Sequence, residues 1–133
     1  MDGGFHFVRH GQTADNLLGV RCGGDRDVPL TGRGLADVRA AADRFAASRP
    51  PCRLVIAGPL QRTVVTGALF AEALGVPLHR RAWLRERALG AWNGLPIADT
   101  RDWIIQGRTP PGGEAEADRS EERRVGKECR SRW

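Results

Sequence analysis

Three short stretches of the 133-residue chain carry side chains suited to chemistry at phosphorus. The first is Arg9-His10-Gly11-Gln12-Thr13, placed just after the apolar run Phe5-His6-Phe7-Val8. A neutral imidazole can attack phosphorus and hold it as a phosphohistidine. Neighbouring guanidinium groups help by disfavouring the imidazolium. Arg9 offers a planar fork of donors for phosphate oxygens, and Gly11 lets the backbone approach a ligand closely. Taken alone, the triplet Arg-His-Gly fits a surface turn with a partly buried histidine better than a catalytic site. The second stretch, Pro59-Leu60-Gln61-Arg62-Thr63, adds another arginine after a second apolar run. The third runs from Leu84 to Gly94, where the carboxyl of Glu86 is flanked by Arg85 and Arg87. Three successive strand ends then present Arg-His, Arg and Glu: a nucleophile, oxyanion clamps and an acid.

These ends must be held by regular elements. Phe5–Val8 reads as a first strand leading into a Gly-rich loop. Pro29-Leu30-Thr31 sets up a helix start with Thr31 as N-cap, and Leu35, Val38, Ala41/Ala42 and Phe45 recur at helical spacing until Pro50-Pro51. Leu54–Ala57 is a short apolar run, the pattern of a strand buried on both faces. Pro59 suits the first turn of the next helix, in which Leu60, Val64, Ala68, Ala71 and Leu74 line one face and Gly75 is the stop. Leu78 to Trp83 reads as a third strand, and Pro96 to Gln106 as another helix. Trp83, Trp92 and Trp103 read as packing residues, with Trp92 bordering the site. Arg85, Arg87, Arg101 and Asp102 read as surface. The order β-α-β-α-β-α predicts an α/β fold with a mainly parallel sheet flanked by helices. Ligands of such sheets bind at the carboxyl ends of the strands, where Arg9 and His10 fall.

Composition narrows the function classes. Apolar residues make up 41% and charged residues 28%, ordinary globular values for one domain. No apolar run approaches the ~20 residues that span a bilayer, and no leader-like segment opens the chain, so no membrane partner is expected. The three cysteines, Cys22, Cys52 and Cys129, are odd in number and lack paired spacing, which favours reduced thiols and a cytoplasmic protein. No cluster of His, Asp and Glu has ligand spacing, so neither metal nor cofactor is expected. Of the 21 basic residues, six lie in 119–133, as do three of the 16 acids. The body keeps 15 bases against 13 acids, which is no nucleic-acid footprint. The composition also breaks at that point. Every base of the body is Arg, the one lysine is Lys127, and 119–133 contains no alanine. That string resembles the conceptual translation of a DNA-sequencing adapter. Residues 119–133 are therefore expected to be a non-native or disordered tail.

The three motifs, in this order, resemble those of the histidine phosphatase superfamily, the phosphoglycerate mutase-like fold, over about Phe5 to Gly113. The resemblance implies a three-layer α/β fold, with residues 1–118 as the N-terminal part of the domain, incomplete at its C-terminus. It implies His10 as the phosphorylated nucleophile, Arg9 and Arg62 as ligands of the phosphoryl oxygens, and Glu86 as the acid that protonates the leaving oxygen. Thr13 and Asn16 would help line the phosphate pocket beside Gly11. Gly24, Asp27, Pro29, Leu30, Thr31 and Gly34 match a further segment of the family, read as structural. Three features depart from the pattern. Ala57-Gly58 stand where the family carries Ser. The spacing from Asn16 to Arg21 is one residue longer than the family's usual spacing, which detaches Arg21 from a substrate role. The family's second pocket histidine finds no match, since His6 and His79 lie in strand contexts, and its place would be beyond Asp118.

The implied activity is hydrolysis of a small-molecule phosphomonoester through a phosphohistidine in the intact protein, with the present chain expected to be inactive or impaired. Two alternatives stand beside it: a phosphoglycerate mutase, and a non-catalytic phospho-ligand binder lacking the second histidine. A nucleic-acid binder would rest on the tail alone. The oligomeric state is not legible.

Overall fold

The computed structural model describes residues 4–115; the expected tail 119–133 lies outside them. The described residues form two units, 4–17 with Val28–Arg85, and Leu18–Asp27 with 86–115.

The first unit contains α1 (Ala14–Leu18) up to Leu17, α2 (Gly32–Ala47), β1 (Val55–Ala57), α3 (Gln61–Leu74) and β2 (Leu78–Arg80). β1 and β2 pair in parallel, Val55 with Leu78, Ile56 with His79 and Ala57 with Arg80. α3 is the crossover between them, as parallel pairing requires. α2 begins where the residue pattern places it. The Thr31 hydroxyl accepts the Gly34 N–H at 2.9 Å, closing the N-cap. α3 ends at Gly75, which takes the left-handed conformation with φ 65° and returns its N–H to the carbonyl of Glu72. Val38 and Ala42 from α2 bury against Phe70 from α3, with Phe45 and Val55 packed around them. Such burial contributes roughly 1.5–3 kcal/mol for a large apolar side chain.

Several expectations about this unit are corrected. Phe5–Val8 forms no strand: Phe7 is 83% exposed, and the run has no ladder partner among the described residues. The segment keeps a two-residue alternation, since the rings of Phe5 and Phe7 meet edge-on at 5.0 Å while His6 packs against Phe45 at 4.9 Å. β1 is not buried on both faces; Ile56 is 47% exposed. Pro59 stands before the N-cap of α3, which is Leu60, rather than in its first turn. The buried face of α3 is Arg62, Thr66, Gly67, Phe70 and Ala71, which shares only Ala71 with the apolar row that periodicity selects within the helix. The third strand stops at Arg80, and Trp83, expected to pack, is exposed in a single 3-10 turn at Ala82–Leu84.

The second unit holds a 3-10 turn at Gly90–Trp92 and α4 (Ile97–Ile105), bounded by Pro96 and Gln106 as the sequence predicts. Side chains gripping backbone add to its backbone–backbone hydrogen bonds, such as Gly24 N–H to the Arg87 carbonyl at 2.7 Å. Asp25 accepts the N–H groups of Leu89 and Gly90 at 2.9 and 2.8 Å and the side-chain amide of Asn93 at 2.8 Å. Asn93 in turn accepts the Gly23 N–H at 2.7 Å. Arg87, expected at the surface, is buried; its Nε donates to the Glu114 carbonyl at 2.7 Å. Trp92 is buried against Trp103, with ring centroids 5.4 Å apart. No helix among the described residues is long and apolar enough to cross a membrane.

Candidate active site

In the first unit Arg9, His10, Gln12 and Asn16 line an open cleft of about 240 Å³. The loop that carries them runs from the Phe5–Val8 segment into α1 and is fixed at several points. Thr13, fully buried, takes the N-cap position of α1. Its backbone N–H and hydroxyl both donate to Asn16 Oδ1, at 2.9 and 3.1 Å, and its hydroxyl oxygen accepts the Asn16 N–H at 3.3 Å. This reciprocal arrangement is a capping box in which Asn replaces the usual Glu or Gln. Asn16 thus faces the cleft from a fixed position, while the Thr13 side chain is committed to the cap.

Gly11 is where the loop crosses α2. A Cβ at this position would meet Val38 Cγ2 at 2.6 Å and the Gly34 carbonyl oxygen at 2.9 Å, so no residue with a side chain fits without displacing the helix. The Gly11 carbonyl lies 2.7 Å from His10 Nδ1. A carbonyl only accepts, so Nδ1 carries the proton, and Nε2 of the neutral ring is the nitrogen with a lone pair. That is the tautomer an attacking imidazole needs.

Arg62 sits at the start of α3, only 2% exposed. Burying a guanidinium is costly unless it is hydrogen-bonded. Among the described residues no buried side-chain nitrogen or oxygen lacks a partner. Arg9, His10, Gly11, Thr13, Asn16 and Arg62 lie in one unit, and of these Arg9, His10 and Asn16 line the cleft. Glu86 belongs to the second unit, where its carboxylate accepts the Arg87 N–H at 2.9 Å. Arg21 is in the second unit as well. Its Nε donates to the Thr100 hydroxyl at 2.6 Å, and burial, with the nearby Arg101 cation, lowers its guanidinium from the usual arginine value.

Two residues that the sequence reading gave no role stand out. Gln12 lines the cleft, and its side-chain oxygen accepts from the Thr31 hydroxyl at 2.9 Å. Thr66 is buried one turn into α3, and its hydroxyl reaches the Gly11 N–H at 3.1 Å. Gln12 had a signal in its place beside His10; Thr66 had none, because a hydroxyl one turn after an arginine has no distinguishing pattern.

Comparison with known proteins agrees with this geometry. The model of the histidine phosphatase superfamily (branch 1) matches residues 5–127. The glucosyl-3-phosphoglycerate phosphatase of Mycolicibacterium vanbaalenii is 34% identical over 88 residues, covering 66% of this chain and 38% of its own length. The 2,3-bisphosphoglycerate-dependent phosphoglycerate mutase 2 of Gloeobacter violaceus is 36% identical over 122 residues, covering 81% of this chain and 54% of its own. Among solved structures, a mycobacterial glucosyl-3-phosphoglycerate phosphatase in complex with VO3 superposes with a TM-score of 0.72 at 28% identity, over 92% of this chain and 63% of that one. The chain thus spans about half or less of the curated relatives it matches. The likeness bears out the α/β class with a parallel sheet. On a family match running from residue 5 to residue 127, and on the His10 loop and cleft described above, the chain belongs to the histidine phosphatase superfamily.

Proposed function

We propose that this chain is the N-terminal part of an enzyme that hydrolyses small-molecule phosphomonoesters through a phosphohistidine on His10. The observation that carries the reading is the 2.7 Å contact between His10 Nδ1 and the Gly11 carbonyl, on a cleft shared with Arg9 and Asn16. In this reading the phosphoryl oxygens are held by Arg9 and Arg62. Nε2 of His10 forms a bond to phosphorus as the ester P–O bond breaks. The leaving oxygen takes a proton from the carboxyl of Glu86. Water then attacks phosphorus, the P–N bond breaks, inorganic phosphate leaves, and the proton released returns to the Glu86 carboxylate. Thr13, on this reading, fixes Asn16 and the loop behind it. The protein's share in phosphoryl transfer is mostly positioning and charge stabilisation, so losing one pocket donor costs about 3–4 kcal/mol, or 10²–10³ in rate.

The test is covalent trapping. The chain is mixed with p-nitrophenyl phosphate, quenched, and mapped by mass spectrometry for acid-labile phosphate. The label belongs on His10 and is absent from His10→Ala; turnover retained by His10→Ala sinks the assignment. Glu86→Gln should slow alkyl phosphates more than aryl phosphates, because only the poorer leaving group needs the proton.

The mutase relative, matched over 81% of this chain, supports a second reading in which the phosphohistidine returns its phosphoryl group to a phosphoglycerate. Activation by 2,3-bisphosphoglycerate separates the two, since a phosphatase gains nothing from it. We propose further that residues 1–118 are native and cytoplasmic and that 119–133 are foreign to the protein. Sequencing the source DNA across the codons for Glu116 to Ser120 tests the last point. A frame continuing past Asp118 into new sequence supports it, and genomic codons for Arg119 to Trp133 overturn it.

A further inference from the structure

Thr66 lies on the buried face of α3, 5% exposed, in the same row as Arg62 and Phe70. A valine there would fill the same volume without a polar atom, and a buried hydroxyl is costly unless it is hydrogen-bonded. The Thr66 hydroxyl makes two bonds. It donates to the Arg62 carbonyl at 2.7 Å, the ordinary back-bond of a helical threonine. It accepts the Gly11 N–H at 3.1 Å, across 55 residues of sequence. A hydroxyl has one proton to give. With that proton committed to Arg62, the oxygen lone pairs are what Gly11 meets.

Gly11 is therefore held on three sides. Its N–H is bound by Thr66, its Cα is backed by Val38 and Gly34, and its carbonyl faces His10 Nδ1 at 2.7 Å. The same hydroxyl is anchored on the carbonyl of Arg62, the residue that opens the buried face of α3. One oxygen thus joins the loop of the nucleophile to the helix turn of the buried arginine.

We infer that Thr66 is a positioning residue for His10: through Gly11 it sets the carbonyl that keeps the imidazole proton on Nδ1 and so presents Nε2 to phosphorus. The inference deepens the phosphohistidine reading and rests on it for its kinetic consequence. Its structural consequence, the tautomer, stands apart from any activity.

The experiment compares Thr66→Val and Thr66→Ser with the parent chain of 133 residues. Nitrogen-15 NMR of the His10 ring reads the tautomer, and trapping with p-nitrophenyl phosphate reads the rate of labelling. Thr66→Val should move the ring from the pure Nδ1–H form toward a mixture. Labelling should fall about 10- to 100-fold, the scale of a misplaced reacting group, while far-UV circular dichroism keeps its helical signal. Thr66→Ser, which retains the hydroxyl, should restore both. If Thr66→Val does not fold, Thr66→Ala removes the hydroxyl without forcing a methyl against Gly11. A hydroxyl-free variant with the parent tautomer overturns the inference, whatever its labelling rate or thermal midpoint. If the parent chain takes no label, the phosphohistidine reading fails, and the tautomer comparison alone still decides the role of Thr66.

Discussion

In the first unit, the ring of Phe70 closes on Val38 and Ala42 between two helices, and the cleft loop is laid across α2 at Gly11. In the second, the turn around Gly90 is held by one carboxylate. Asp25 takes two backbone N–H groups and one side-chain amide, while apolar burial centres on Trp92 against Trp103. The two units are stabilised by different terms of the same balance. Apolar burial is non-directional and tolerates a rotation of the helix face. A hydrogen-bonded clamp depends on single atoms and is sensitive to geometry and protonation. On the proposed reading His10 is a nucleophile that must be held to a fraction of an ångström, and the loop that carries it is anchored at Gly11 on a packed helix pair.

The largest expected effect tests whether that core and the clamp are separable. Phe70→Ala removes a ring that is 7% exposed. It should cost about 3–5 kcal/mol, the transfer loss plus the cavity left between α2 and α3. Urea unfolding followed by circular dichroism gives the total. Amide exchange then locates it: protection should fall at Val38 and Ala42 and persist at Gly24, Leu89 and Gly90. Equal loss in both sets would show one cooperative unit, and the distinction drawn above would then describe contacts only.

What could be read beforehand follows the same division. α2 was legible because its signals are local: Thr31 as cap, then Val38 and Ala42 at helical spacing. The left-handed stop at Gly75 was legible for the same reason. The buried face of α3 was not. Thr66 faces inward to meet the Gly11 N–H and Gly67 to pack closely on β1, with Arg62 buried in the same row, so apolar periodicity selected a row that shares only Ala71 with the buried one. Phe5–Val8 has a strand's composition, but a strand also needs a pairing partner, which composition does not report. Arg87 looks like surface in sequence; its burial depends on the carbonyl of Glu114, 27 residues away. The site motifs were legible as residue types, and His10, Arg9 and Asn16 do share a cleft. Thr66 and Asp25 passed unnoticed because each acts through backbone atoms of distant residues.

A smaller effect is expected from Asp25→Ala. Three donors lose their acceptor, but the site is open to water, which replaces much of what is lost, so the cost is about 1 kcal/mol. The change should be local. Amide exchange at Leu89 and Gly90 should accelerate while the urea midpoint barely moves. A shift of that midpoint comparable with that of Phe70→Ala would mean that the clamp, rather than the packed helices, governs global stability.

The smallest effect is the pH dependence of the same clamp, and it tests the sign of a balance. Partial burial by itself raises the Asp25 carboxyl, but hydrogen bonds from Asn93, Leu89 and Gly90 outweigh it and hold the group below its ordinary value. A carboxyl depressed in the folded state binds its proton more weakly there than when unfolded. Its contribution is therefore complete above the unfolded value of about 3.9 and is lost as pH falls through the lower folded value. The amide proton shifts of Leu89 and Gly90 report the event directly, because protonation weakens the acceptor they share. They should stay flat on acidification to about pH 4 and titrate only below it, in step with each other, with no matching inflection in Asp25→Ala. An inflection at or above the ordinary aspartate value would mean that burial prevails over the three donors. The second unit would then be held by its Trp92–Trp103 contact, and the contrast between a packed unit and a clamped one would fail.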